Sequence, residues 1–294
     1  MSNITASIYG GGPFYSGGQP VIDDLKASGF TTVIVWSVHV NASNGDLTLN
    51  DTLIASNGKY VGDAGWPAQL GSLKTGSTSV NRILFSVGSG PPPIDFTNIQ
   101  ALISQYGTGP SNPLYQNFAA LRAAIPAIDG IDFDDEDNYD QNTVVQFAQM
   151  LSTIGFGQIT FCPYTYMSFW AGCLKALESS NPGLVTGYNL QCYSGGGGNV
   201  FQIPQWIGSI EPILGSGASA FISPGLWCRN GSNCLSGECP DQMEVQYRGW
   251  QPDGIQGGFI WMYDDIQSCV NSNTCSGNPM NSAAYAGAIV NGLG

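Results

Sequence analysis

Short apolar runs recur along this chain at 4–9, 30–38, 82–87, 130–136, 158–163, 184–193, 220–226 and 258–263, and each ends in a polar or Gly-rich loop. Several are almost continuously apolar, as in Thr32-Val-Ile-Val-Trp36, the pattern of a strand covered on both faces. Between them lie segments of helical period at 21–28, 94–106, 115–125, 143–154, 170–180, 204–214 and 243–250, and 283–291 closes the chain. In 143–154, for example, Val144, Phe147, Leu151 and Ile154 fall on one helical face. Eight strand–helix alternations predict an α/β chain folded as a (β/α)8 TIM barrel, with extended loops on its C-terminal face. A doubly wound sheet is the structural alternative. Its phosphate-binding fingerprint is missing, because Pro13 and Phe14 follow Gly10-Gly-Gly12, which reads as a tight loop.

About forty residues separate the second and third strands, more than a βα connection requires. Leu47-Thr-Leu49 and Gly58-Lys-Tyr-Val61, with polar turns between, predict a β-hairpin insertion within 41–80 on the C-terminal rim. The loop 227–239, after the seventh strand, is expected on the same rim, held by cysteines. With no internal repeat, linker or composition break, 1–294 is expected to be a single domain.

Composition narrows the partners. The net charge is −13 with only eight Lys plus Arg, which argues against nucleic acid and against anionic membrane surfaces. A neutral substrate such as a carbohydrate fits better, and a monomer is expected. Five of the eight Cys (Cys228, Cys234, Cys239, Cys269, Cys275) fall in the last quarter of the chain, in Gly/Ser/Asn-rich loops. There is no CxxC pair and only one His, so a disulfide set is expected rather than a zinc site, and with it secretion into an oxidising compartment. Cys269–Cys275 is the expected local bridge. Sequons at Asn3, Asn41, Asn50 and Asn230 agree with secretion. The first residues lack the apolar core of a signal peptide and read as a mature start with an added Met. No cofactor or metal is expected.

The chemistry concentrates in Asp129-Gly-Ile-Asp-Phe-Asp-Asp-Glu136. On a strand, Asp132, Asp134 and Glu136 share one face, spaced roughly 6.6 Å apart. Three acids on a buried face are costly to desolvate and cannot all ionise. Glu136, nearest the mouth, is expected to keep a raised pKa and act as general acid. Both carboxylates stand on one side, whereas glycosidases with a protein nucleophile flank the scissile bond. The layout suits a substrate that supplies its own nucleophile, as an N-acetyl group does.

The octapeptide resembles the DGxDxDxE signature of glycoside hydrolase family 18, the chitinases and endo-β-N-acetylglucosaminidases, at every fixed position, and looks nearest to the class III, hevamine-like branch. Ser86-Val-Gly88-Ser89 is similar to the family's SxGG, with Ser89 in place of a Gly. Phe161-Cys-Pro-Tyr164, Gln191-Cys-Tyr193 and Gly257-Gly-Phe-Ile-Trp261 resemble its fifth, sixth and eighth strand segments. The resemblance implies that Glu136 protonates the glycosidic oxygen, that Asp134 orients the acetamido group and stabilises an oxazolinium ion, and that Asp132 shares a proton with Asp134. Tyr193 would donate to the acetamido oxygen, with Gln191 beside it. Trp261 would floor the central sugar site, with Tyr9 and Tyr164 as further sugar-binding residues, and Asp129 would be structural. Trp261 comes one residue early, so either it or Met262 faces inward. Asp135 stands where an apolar residue is usual, and with Asp137 and Asp140 it would pair with a cation or raise the Glu136 pKa.

The blander readings are a solvated acidic loop or a calcium loop, the latter opposed by the missing Gly at its sixth position. Trp36 and Tyr263 read as core, and packing is the default for Trp66, Tyr139, Trp170, Trp206, Trp227 and Trp250. His39 reads as structural or rim. The functional expectation is retaining, substrate-assisted hydrolysis of β-1,4-linked N-acetylglucosamine glycans: chitin, chitooligosaccharides or the N-glycan core. A non-catalytic chitinase-like lectin or inhibitor, and a hydrolase of another N-acetylated polymer, are the alternatives.

Overall fold

The computed structural model describes residues 4–90 and 93–294, so the sequon at Asn3 lies outside the described residues. Among the described residues eleven strands form in order: β1 (Thr5–Gly10), β2 (Thr32–Val40), β3 (Leu47–Leu49), β4 (Thr52–Ser56), β5 (Lys59–Tyr60), β6 (Arg82–Gly88), β7 (Gly130–Asp134), β8 (Gln158–Phe161), β9 (Val185–Gln191), β10 (Ile222–Trp227) and β11 (Gly257–Trp261). Eight of them pair in parallel in the ring β1-β2-β6-β7-β8-β9-β10-β11, which closes because β11 also pairs with β1. This is the expected (β/α)8 barrel.

The helices are α1 (Gly12–Ser16), α2 (Gly18–Ala27), α3 (Trp66–Ser72), α4 (Asp95–Tyr106), α5 (Pro113–Ala124), α6 (Gln141–Ile154), α7 (Met167–Ser180), α8 (Ile203–Leu214), α9 (Pro240–Trp250), α10 (Tyr263–Cys269) and α11 (Ser282–Leu293). The short α1, α3 and α10 lie in stretches read as loop or strand end, because five or seven residues span too few turns to show a period. None of the described helices is long and apolar enough to cross a membrane.

The core has two parts. Outward-facing strand residues and inward helix faces form the larger cluster. In it Phe133 packs on Phe96, Phe147 and Phe161. A smaller cluster fills the barrel interior: Tyr9, Ile34, Leu84, Cys162 and Phe259, bordered by Trp36, Tyr193, Trp261 and Met262.

The insertion forms three short strands rather than a simple hairpin. β3 pairs antiparallel with the end of β2, and β4 and β5 continue the meander. Fully buried Asn117 of α5 fastens it, accepting from Gly58 N at 2.8 Å and donating to Gly45 O at 2.7 Å. The disulfides are Cys234–Cys269 and Cys239–Cys275, so the local Cys269–Cys275 bridge is wrong. Loops after neighbouring barrel strands lie side by side, and each cysteine after β11 meets one from the loop after β10 at a Cα separation of 5.6 Å. Cys162, Cys173, Cys192 and Cys228 are buried and free.

Candidate active site

β7 carries the acids into the barrel. Strand alternation turns Asp132 and Asp134 inward, and both are buried. The strand ends at Asp134, so half-buried Glu136 stands two residues beyond it on the rim. Parallel register sets Ser86, Asp132 and Thr160 side by side on β6, β7 and β8. Four donors converge on Asp132: Tyr9 Oη (2.9 Å), Ser86 Oγ (2.8 Å), Thr160 Oγ1 (2.5 Å) and Asn189 Nδ2 (2.9 Å). Burial raises the Asp132 pKa and these four donors oppose it. They occupy the roughly four lone-pair sites of a carboxylate. No hydrogen bond joins Asp132 to Asp134 among the described residues, so the expected shared proton is not bridged here.

Asp134 is held well above the usual carboxylate range, first by burial, then by the charges of Glu136 and Asp132. One amide ties the upper acids together: Gln191 Nε2 is 3.1 Å from Asp134 Oδ1, 3.1 Å from Glu136 Oε1 and 3.3 Å from the Cys162 carbonyl. Gly88 makes room for this geometry. At φ 106°, a Cβ there would lie 2.4 Å from the Asp134 carbonyl oxygen.

β11 stands opposite β7 in the ring and presents an aromatic wall. Gly257, Phe259 and Trp261 alternate inward, and Trp261 and Met262 both border the barrel-interior cluster, so the two are not exclusive. Trp261 stacks on Tyr193 (centroids 5.9 Å apart, 24° between planes) and meets Trp36 edge-on at 4.9 Å and Tyr9 at 5.4 Å. Tyr193 follows the end of β9, and burial, then Cys162, Asp134 and Glu136, keep its hydroxyl protonated. Asp264 lies just past β11, but its carboxylate turns to β1 and accepts from Gly11 N at 2.9 Å.

Two sugar-binding expectations change. Tyr9 has no exposed surface and its hydroxyl is spent on Asp132, so it supports the acid from below instead of meeting a ligand. Tyr164 lies apart from the aromatic wall, in a rim groove with Tyr166, Gly195, Gly196 and Gln202. Trp36, read as core, is instead part of the mouth. Sequence reasoning also missed Thr160 and Asn189; the available signal was a polar residue at an inward position of each buried strand, on the same face as Gln158 and Gln191 respectively.

The acids around the motif are caps, not a cation site. Asp135 faces the helices as alternation requires, and its carboxylate accepts from the N–H groups of Asp137, Asn138 and Tyr139. Burial pushes its pKa up to about 6 against those donors. Asp137 accepts from Phe96 N and Thr97 N at the start of α4, and Asp140 caps α6 through Thr143 N. No group of three or more His, Cys, Asp or Glu among the described residues is placed to hold a metal. Asp129 pairs with Lys74 at 2.7 Å and accepts from Ile83 N, a structural role at the start of β7. His39 Nδ1 lies 2.8 Å from buried Asp95 on the rim. Asp135→Ala should strand three N–H groups of the turn that carries Glu136, lowering stability by about 2 kcal/mol in urea unfolding; a change under about 0.5 kcal/mol would refute the capping role.

No protein-family model matches the chain, and no curated protein matches it. Solved structures share its fold over its whole length. The catalytic domain of a hyperthermophilic chitinase from Pyrococcus furiosus superposes with a TM-score of 0.69 at 10% identity, covering 100% of this chain and 96% of that one. A Group IV chitinase from Ostrinia furnacalis, in complex with allosamidin, gives 0.64 at 11% identity over 98% of both chains. A chitinase from Chromobacterium violaceum gives 0.56 at 13% identity over 99% of both. At such identities the likeness is one of fold.

Proposed function

We propose that this chain is a glycoside hydrolase of the family 18 type, cleaving β-1,4-linked N-acetylglucosamine glycans with retention of configuration. The observation that carries the reading is the one-sided pair of acids: Asp134 and Glu136 are joined by Gln191 of β9, Trp261 stands on β11 opposite them, and Tyr193, from the end of β9, stacks on Trp261. Chitinases as structural neighbours support the same substrate class.

In this mechanism Trp261 seats the apolar face of the sugar and Tyr193 donates its hydroxyl to the acetamido oxygen. Glu136, on the rim, gives its proton to the leaving oxygen. The acetamido oxygen then attacks the anomeric carbon, and Asp134 stabilises the cationic ring that forms. Asp132, held by four donors, fixes the negative charge beneath Asp134. Glu136 finally takes a proton from the water that opens the ring. The two disulfides support secretion, and 1–294 as one catalytic domain fits the full-length match to the neighbours.

A substrate panel with product anomers read by NMR tests this. Cleavage confined to N-acetylated substrates, with the β-anomer formed first, is expected. Cleavage of de-acetylated chitosan at a similar rate, or α-anomer first, would exclude the mechanism. Glycan binding with no turnover over days would assign the chain to the lectin-like alternative.

A further inference from the structure

In the proposed mechanism the Tyr193 hydroxyl donates to the acetamido oxygen, and a group displaced by about 1 Å can cost about 10²-fold in rate. Three rings hold Tyr193. Trp261 stacks on it, Phe259 meets it edge-on at 6.1 Å, and Trp227 meets it edge-on at 5.9 Å with 62° between planes. No side-chain hydrogen bond of Tyr193 occurs among the described residues, so this packing decides where its hydroxyl points. Phe259 and Trp261 belong to β11 and are fixed by its register. Trp227 is the last residue of β10, half-buried, where the strand opens into the 227–239 loop. Its indole Nε1 donates to Asp265 Oδ2 at 2.8 Å. Asp265 lies in the first turn of α10, just past β11. The same two segments are tied by the backbone, where Cys228 N donates to the Trp261 carbonyl at 2.8 Å, and by both disulfides, Cys234–Cys269 and Cys239–Cys275.

We propose that Trp227 and Asp265 are a pair of positioning residues for Tyr193: the Asp265 side chain fixes the Trp227 indole, and the indole edge sets the ring that presents the Tyr193 hydroxyl. The proposal rests on the reading of Tyr193 as a donor to the substrate. Hydrogen bonds to a carboxylate are shorter and stronger than neutral ones, so Asp265 holds the indole more firmly than packing at a strand end would. The paired disulfides then have a task beyond stability, because they keep the α10 segment that carries Asp265 against the loop that carries Trp227. A hydroxyl that acts on the charge developing in the transition state affects kcat more than KM. Loss of the pair should therefore appear in turnover, and only while the Tyr193 hydroxyl is there to be aimed.

A double-mutant cycle tests this. Asp265→Ala should lower kcat on a fluorogenic chitooligosaccharide about tenfold with KM within about twofold. Asp265→Asn, whose side-chain oxygen still accepts from the indole, should restore most of the rate. In a Tyr193→Phe background, which has no hydroxyl to aim, Asp265→Ala should cost less than about twofold. Asp265 also stands at a helix N-terminus, so a lower melting temperature is expected on either reading and decides nothing. Should Asp265→Ala fail to fold, Trp227→Phe, which keeps an aromatic edge but loses the donor, should show the same dependence on background. Equal losses with and without the Tyr193 hydroxyl, equal losses in the Ala and Asn variants, no loss, or a change confined to KM would overturn the proposal. The Tyr193 ring gives a reading without turnover. Its NMR signals in protein with isotope-labelled tyrosine, assigned by their loss in Tyr193→Phe, should move in Asp265→Ala and stay near wild type in Asp265→Asn. Signals that do not move in Asp265→Ala would also overturn the proposal. A wild-type protein without turnover would remove the proposed function and leave the ring signals to decide the positioning.

Discussion

Glu136→Gln should cut turnover of a fluorogenic chitooligosaccharide by about 10²–10⁴-fold, the usual worth of a positioned general acid. The variant changes little else. Glu136 lies past the end of β7, half-exposed, and among the described residues its side chain accepts from the Gln191 amide alone. A glutamine oxygen can accept the same hydrogen bond, so the Asp134–Gln191 contact should survive. The melting temperature and the calorimetric affinity for chitooligosaccharide should therefore stay near wild type while kcat collapses. That pattern separates a lost proton donor from a damaged fold. Activity within about tenfold of wild type would remove Glu136 from the mechanism.

Asp134→Asn should act in opposite directions on rate and stability. The rate should fall about 10²–10³-fold, because an amide cannot supply negative charge to a developing cation. Stability should rise above mildly acid pH. The folded-state pKa of Asp134 is raised, chiefly by burial. A group of this kind contributes stability that is fully present below its unfolded value of about 3.9 and is lost as pH rises towards its folded value. The asparagine variant escapes that loss. Its melting temperature should match wild type near pH 4 and exceed it increasingly as the pH is raised, in paired scans. Identical pH profiles for the two proteins would show that Asp134 ionises in the folded state as freely as in solution.

Burial and neighbouring charge raise the Asp134 pKa, and an acid placed in that way is poised for chemistry and costs stability. Asp132 shows the opposite solution at the same depth, with four donors supporting the charged form.

The sequence by itself determined the barrel, because eight buried strands alternating with amphipathic helices have few ways to cover their apolar faces. It also determined the order of the acids, since a two-residue spacing on a strand turns Asp132 and Asp134 to one side, while Glu136, past the strand end, is placed by the turn that follows. It did not determine what meets those acids. Thr160, Asn189, Tyr9 and Gln191 come from three other strands, and only ring closure with its register brings them to β7. Trp36 and Trp261 became neighbours for the same reason, as did the loops whose cysteines cross-pair. Asp135 was the residue that local pattern could not place. Alternation correctly sent it towards the helices, yet its tolerance there depends on three backbone N–H groups of the turn that follows, and a turn's geometry is fixed by what it packs against.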